Sequence, residues 1–274
     1  MAERMIDAGG VSLCAEAFGE AGDPPILLVM GAAASMLGWP DGLVERLAAA
    51  GRLVIRYDHR DTGRSTAYPP GETPYSLDDL ADDALAVLDG YSLGSAHVVG
   101  MSMGGLLGQI LAVRDPARVR TLTLIASEIF ADPGFAAPPI DPAIMAHFAT
   151  TAGLDWTNDA AVAGFIAGLW RLCGRRPFEA EPAQAMAARE VARARSRASM
   201  LNHMRLAGGE DWYGRIADIA QPVLAIHGTA DPVVAFAHAE AIAARAPDAR
   251  LLPLEGAGHE LHSTDWDAIV AAIA

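Results

Sequence analysis

The chain has 274 residues, of which 52% are apolar, enough to bury a large core and too many for a disordered protein. A formal charge of −14 argues against a nucleic-acid or anionic-membrane partner, which would call for a basic face. All twenty basic residues are arginine, so Schiff-base chemistry, pyridoxal phosphate attachment and a phosphate-loop lysine are excluded together.

In chain order, Ile26-Leu27-Leu28-Val29-Met30 reads as a strand that runs into a small-residue loop, Gly31-Ala32-Ala33-Ala34-Ser35. Leu43 to Ala50 reads as helix and Leu53-Val54-Ile55-Arg56-Tyr57 as strand. Leu77 to Leu88 reads as an amphipathic helix, with Asp78, Asp79, Asp82 and Asp83 weighted toward its first half. Ala96-His97-Val98-Val99 then enters Gly100-Met101-Ser102-Met103-Gly104, and the apolar run Leu106 to Leu111 leaves it with helical character. A Gly-x-Ser-x-Gly turn between strand and helix is the setting of a nucleophile elbow. The turn is so tight that side chains two residues either side of the serine would collide, hence Gly100 and Gly104. Val119 to Ile125 reads as the next strand. Strands alternating with helices predict a mostly parallel central sheet with helices on both faces.

The alternation stops after Ser127. From about Phe130 to Gly209 a Pro-rich loop (Pro133, Pro138, Pro139, Pro142) leads into helical patterns, among them Ala160 to Leu172 and Pro182 to Leu206. Strand character returns at Pro222 to His227 and at Arg250 to Leu254. The expected division is therefore a core of residues 1–129 and 210–274, with 130–209 inserted as a helical lid.

A serine hydroxyl needs a base to become a nucleophile, and the base is normally a histidine oriented by a carboxylate. Thr229-Ala230-Asp231-Pro232 and Gly256-Ala257-Gly258-His259 each follow a predicted strand, so both open at the same sheet edge as Ser102. The order Ser102, Asp231, His259 is the one expected of this kind of sheet. His262 competes with His259 as base, and Glu128 with Asp231 as carboxylate. Other uses exist for the chosen pair: Asp231 as a turn residue before Pro232, His259 as a loop histidine capping the next helix. His227, ending a strand, is expected in the core or behind the site. The oxyanion donors are expected to be the backbone N–H groups of Met103 and Ala32.

Together these residues resemble the α/β-hydrolase superfamily over nearly the whole chain. Three stretches look closest to the aclacinomycin methylesterase group: Leu28-Val29-Met30-Gly31 with Leu37-Gly38-Trp39-Pro40-Asp41, then Ile55 to Ser65, then His97 to Gly104. The superfamily usually has His-Gly where this chain has Met30-Gly31, and Gly where it has Asp61; both departures look like those of the methylesterase group. The resemblance implies the α/β-hydrolase fold, the Ser102–Asp231–His259 triad, an oxyanion hole from Ala32 and Met103, and a lid enclosing a hydrophobic, often aromatic, substrate.

The expected activity is serine ester hydrolysis without cofactor or metal, on a small hydrophobic ester, with methyl esters of aromatic polyketides as the suggested class. A cofactor-free haloperoxidase or perhydrolase would use the same triad, and a non-catalytic ligand-binding homologue would keep the fold. Dehalogenases and epoxide hydrolases need aspartate where Ser102 stands. Cys14 and Cys173 form no disulfide framework or zinc motif, Met1 to Asp7 has no apolar signal-like run, and no apolar run is long enough to span a membrane; a cytoplasmic protein is expected. The sequence sets no oligomeric state. Asp58 and Arg60 are expected to pair or hydrogen-bond structurally beneath the site. Arg189, Arg193 and Arg197 recur every four residues, the spacing of a solvated helix face, with Arg195 beside them. Trp39, Trp156, Phe165, Trp170 and Trp212 are candidates for either pocket lining or core.

Overall fold

The computed structural model describes residues 3–136 and 138–274, so Met1 and Ala2, where the N-terminal reading begins, and Ala137 in the inserted stretch lie outside it. Strands β1 (Arg4–Asp7) and β2 (Ser12–Phe18) form an antiparallel hairpin that sequence reading did not anticipate. Its turn uses Gly9 and Gly10 at φ 70° and 98°, a region open to glycine without cost. Next come β3 (Pro25–Val29), helix α1 (Asp41–Ala49), β4 (Leu53–Tyr57), α2 (Leu77–Gly90), β5 (Ala96–Met101), α3 (Met103–Arg114) and β6 (Val119–Ile125). A capping box starts α2: Ser76 Oγ accepts from the Asp79 N–H while the Asp79 carboxylate accepts from the Ser76 N–H.

Between β6 and β7 (Val223–Gly228) stand α4 (Pro142–Ala149), α5 (Asp159–Cys173) and α6 (Ala180–Arg193), followed by a 3₁₀ turn at Ser199–Arg205. α4 arises inside the predicted Pro-rich loop because Pro142 takes the first helical position and Asp141 caps it. The helix expected over 182–206 stops at Arg193. No local breaker ends it; Arg195 N–H instead donates to Gly63 O at 2.9 Å, which draws the chain out of the helix and onto the core. α5 and α6 pack through Val162, Ala163, Ala167, Ala187 and Val191. The chain closes with α7 (Ala237–Arg245), which was not anticipated, β8 (Ala249–Leu254) and α8 (Trp266–Ile273), the helix expected after the His259 loop.

The sheet has eight strands in the order β1-β2-β4-β3-β5-β6-β7-β8, parallel from β4 through β8 and antiparallel where β2 meets β1 and β4. Its central strands are buried on both faces, so successive residues feed two cores. Leu27 and Val29 join Leu80, Leu88, Leu107, Ile110 and Ile242 from α2, α3 and α7. Ile26 and Leu28 join Leu43, Leu47, Ile269 and Ile273 from α1 and α8. The strand order reverses at β3, whose neighbours β4 and β5 follow it in sequence on opposite sides. Loops leaving the carboxyl ends of β3 and β5 therefore diverge around a crevice, the place where open α/β sheets build sites. Among the described residues no helix is long and apolar enough to cross a membrane.

Candidate active site

Ser102 occupies the turn between β5 and α3 at φ 52°, ψ −122°, a conformation that costs a non-glycine residue roughly 1–3 kcal/mol. The surroundings over-determine it. Ser102 N–H donates to Ile125 O at 3.0 Å, and its carbonyl accepts from Ser127 Oγ at 2.9 Å. A Cβ on Gly100 would lie 2.2 Å from Gly104 O, and one on Gly104 would lie 2.0 Å from Val29 O. Both glycines are thus required by close backbone approach, as the motif predicts. Although Ser102 immediately precedes α3, its hydroxyl makes no capping hydrogen bond to the helix. Met103 is the first helical residue, so its N–H lacks an intrahelical acceptor.

The loop after β3 meets this turn. A Cβ on Gly31 would sit 3.2 Å from Ser102 Cβ and 3.8 Å from Ser102 Oγ, which puts the Gly31–Ala32 peptide beside the serine. Two buried histidines hold the loop. His59 Nε2–H donates to Met30 O at 3.0 Å, and His203 Nδ1 accepts from Ala33 N–H at 3.0 Å. Sequence reading missed both roles; His59 lies in the quoted stretch Ile55 to Ser65, whereas nothing local marks His203.

The loops after β7 and β8 are bound to each other by backbone. Thr229 N–H donates to Leu254 O and Ala230 N–H to Ala257 O, at 3.1 and 3.0 Å. A Cβ on Gly228 would lie 2.4 Å from Ala257 O, so the strand end must be glycine for the loops to meet. The result is a 2.8 Å hydrogen bond from His259 Nδ1–H to Asp231 Oδ2. Asp231 Oδ1 accepts from the N–H groups of Val233 and Val234 at 2.8 and 2.9 Å. His227 Nε2–H donates to Val234 O at 2.8 Å and lies 3.4 Å from Asp231 Oδ2. Burial alone would raise the Asp231 pKa, but the His259 charge, hydrogen bonds from His227 and His259 and the Val234 N–H outweigh it. The carboxyl is held well below the usual carboxylate range. With Nδ1 committed to the carboxylate, His259 presents Nε2 as its free basic nitrogen.

Of the competitors, one goes elsewhere and the other stays nearby without bonding: burial raises the Glu128 pKa while the nearby His259 charge lowers it. His262 caps the 3₁₀ turn Ser263–Asp265 and pairs with Thr264 Oγ1 at 2.9 Å. Among the described residues no side-chain hydrogen bond joins Glu128 to His259, and none joins Ser102 to His259; serine and histidine share the sheet edge without direct contact of that kind. Beneath the site, Arg60 grips Asp83 through two bonds of 2.7 and 2.9 Å, while Asp58 accepts from Met36 N–H, Arg64 N–H and Arg193. Asp58 and Arg60 are structural as expected, though each pairs with other partners.

The arginine helix face needs a correction. Arg193 is buried between Asp58 and Glu3, because α6 lays this position against the core, while Arg189 and Arg197 form surface pairs with Asp41 and Asp159. The aromatic candidates also resolve into packing. Trp39 is core; Phe165 stacks on His147, with Phe148 and Trp156 nearby; Trp170 packs on the α5–α6 cluster; and Trp212 donates to Asp78.

Comparison with known proteins closes the question of family. The model of the alpha/beta hydrolase fold matches residues 24–265. The chain belongs to the α/β-hydrolase family. This hydrolase is 35% identical over 292 aligned positions to rhodomycin D methylesterase DauP of Streptomyces sp. (strain C5), covering 100% of its own length and 97% of the relative. It is 32% identical to a putative carbamate hydrolase RutD of Caulobacter segnis, across 92% of this chain and 91% of that one. Among solved structures it resembles an esterase from Exiguobacterium antarcticum with a TM-score of 0.80 at 20% identity, over 99% of this chain and 97% of that one. The last likeness is one of fold.

The two departures from the usual superfamily motifs have a structural reading in this hydrolase. Asp61 stands at φ 66°, a backbone region that glycine normally supplies. Its carboxylate offsets the strain by accepting from Tyr68 N–H and Tyr75 OH, both at 2.6 Å, and from Asn202 Nδ2 at 2.9 Å. Met30 is buried in the core, and a Cβ on Gly38 would lie 2.8 Å from its Sδ.

Proposed function

We propose that this hydrolase is a serine carboxylic-ester hydrolase in which Ser102 is the nucleophile, His259 the general base and acid, and Asp231 the carboxylate that orients it. The observation carrying this reading is the His259–Asp231 hydrogen bond, its carboxylate held ionised, at the sheet edge where the strained Ser102 turn opens. Ser102 Oγ attacks the ester carbonyl carbon as His259 Nε2 takes its proton. Negative charge develops on the carbonyl oxygen, which the N–H groups of Ala32 and Met103 receive at the positive end of α3. The tetrahedral species collapses, the bond to the alcohol oxygen breaks, and His259 returns the proton to the leaving alcohol. Water then attacks the acyl-enzyme, His259 takes its proton and passes it to Ser102 Oγ, and the carboxylic acid departs.

Residues 130–209 are read as the lid over the substrate, and 1–129 with 210–274 as the core that holds the chemistry. The full-length similarity to a rhodomycin D methylesterase supports methyl esters of aromatic polyketides as the substrate class, with methanol as leaving group. The test is hydrolysis of a short p-nitrophenyl ester series by wild type and Ser102→Ala, then methanol release from an anthracycline-type methyl ester. Wild-type turnover falling at least about 1,000-fold in the variant is the expected result. Equal rates for the two proteins would overturn the serine mechanism.

A further inference from the structure

We infer that His203, from the inserted segment, is a positioning residue for the oxyanion loop, so that the lid supplies part of the catalytic apparatus as well as a cover. This inference rests on the oxyanion role proposed above for Ala32. His203 bridges two backbone groups of the core. Its Nδ1 faces the N–H of Ala33 at 3.0 Å, and its Nε2 faces the carbonyl of Arg60 at 2.8 Å. A donor on one side and an acceptor on the other admit one arrangement, a neutral imidazole with its proton on Nε2. Burial favours that neutral form, against opposing effects of the Arg60 hydrogen bond and the Asp61 charge, and the net pKa is lowered. The edge of His59 packs against the His203 ring at 5.9 Å between centroids, and His59 in turn holds Met30 O.

The two imidazoles thus grip both ends of Gly31-Ala32. What His203 holds is a strained backbone: Ala33 sits at φ 60°, where an alanine without a partner would relax. Relaxation of Ala33 would rotate the Ala32–Ala33 peptide and, by moving the Ala32 Cα, shift the Gly31–Ala32 peptide that carries the Ala32 N–H. Misplacing an oxyanion donor acts on the transition state more than on the bound ester, so kcat should fall while KM holds.

The experiment compares His203→Asn with His203→Gln, and both with His203→Leu. The Asn side-chain oxygen reaches the place of Nδ1 and can accept from Ala33, whereas the Gln amide nitrogen reaches the place of Nε2 and can donate to Arg60. With a p-nitrophenyl ester as substrate, the Leu variant is expected to lose roughly 10- to 100-fold in kcat with little change in KM, in line with the ~100-fold cost of a 1 Å misplacement. Asn should recover most of that loss and Gln little of it. Should the Leu variant not fold, the ranking of Asn above Gln decides alone. A phenylboronic acid, which forms a tetrahedral adduct at the serine, should lose affinity in parallel with kcat. Equal kcat for Asn and Gln, or a fall that tracks melting temperature or KM, would overturn the positioning role. Retention of wild-type kcat by Ser102→Ala in the same assay would instead mark failure of the serine mechanism.

Discussion

At Asp231 opposing effects compete and geometry decides the outcome. Burying a carboxylate favours its protonated form, yet two backbone N–H groups on one oxygen and two imidazoles near the other hold it ionised. A carboxyl whose pKa is lower folded than unfolded adds stability above the unfolded value and loses that contribution as pH falls through the folded one. Asp231→Asn should therefore be less stable than wild type at pH 7 in urea unfolding, with the gap narrowing below about pH 4. Its kcat should fall by about 10⁴-fold, because an amide that donates to Nδ1 stabilises the wrong tautomer of His259. An unchanged kcat would remove Asp231 from the reaction. Asp61 follows the same logic without chemistry, since three hydrogen bonds keep a non-glycine residue where backbone strain alone would disfavour it.

Among the elements, α3 and α5 use glycine for opposite reasons. In α3, Gly104, Gly105 and Gly108 let the helix lie close on the sheet: a Cβ would fall 2.0 Å from Val29 O, 2.3 Å from Ser127 Oγ and 2.8 Å from Leu122 Cδ1 respectively. In α5, Gly164 is exposed and a Cβ there meets nothing within 4 Å. Gly164→Ala should accordingly stabilise the protein by about 0.5–1 kcal/mol, visible as a rise in melting temperature with activity unchanged. A lower melting temperature would mean that this face of α5 is in a contact that alanine disturbs. The contrast also explains why elbow glycines are legible in a sequence while a helix glycine is not: only the former sit in a motif whose geometry forbids side chains.

At the scale of the molecule, the inserted segment is bonded to three loops of the candidate site, those after β3, β7 and β8. Asp141 N–H donates to Pro232 O beside Asp231, His259 N–H donates to Cys173 O at the end of α5, and His203 holds the loop after β3. Arg193 fixes the same segment from below through Asp58, whose carboxylate is fully buried. Burial raises the Asp58 pKa, and Arg193 with the Arg64 and Met36 N–H groups offsets that only in part. Removing the arginine strands a buried charge, so Arg193→Ala should cost about 3–5 kcal/mol, on the order of 10 °C in melting temperature for a chain of this size. Adding Asp58→Asn to an Arg193→Met background should restore part of the loss. A melting temperature unaffected by Arg193→Ala would show the segment to be held by its other contacts alone.

The sequence by itself determined what short-range rules govern. Apolar runs bounded by loops marked β3 to β8, most strongly at the inner strands β3, β4 and β7 that are buried on both faces, and they carried the α/β-hydrolase architecture with them. The elbow was legible because steric exclusion at Gly100 and Gly104 acts within five residues, and the order of Ser102, Asp231 and His259 followed from strands that all open at one edge. The edge hairpin escaped because β1 is four residues long and mostly exposed, too little for an apolar pattern to register. Only the tertiary structure decided where α6 ends, that Arg193 is buried, and that His59 and His203 bracket the loop after β3. His203 and Ala33 stand 170 residues apart. Nothing local to either encodes their hydrogen bond, which exists because one polar group left without water in a closed core must find another.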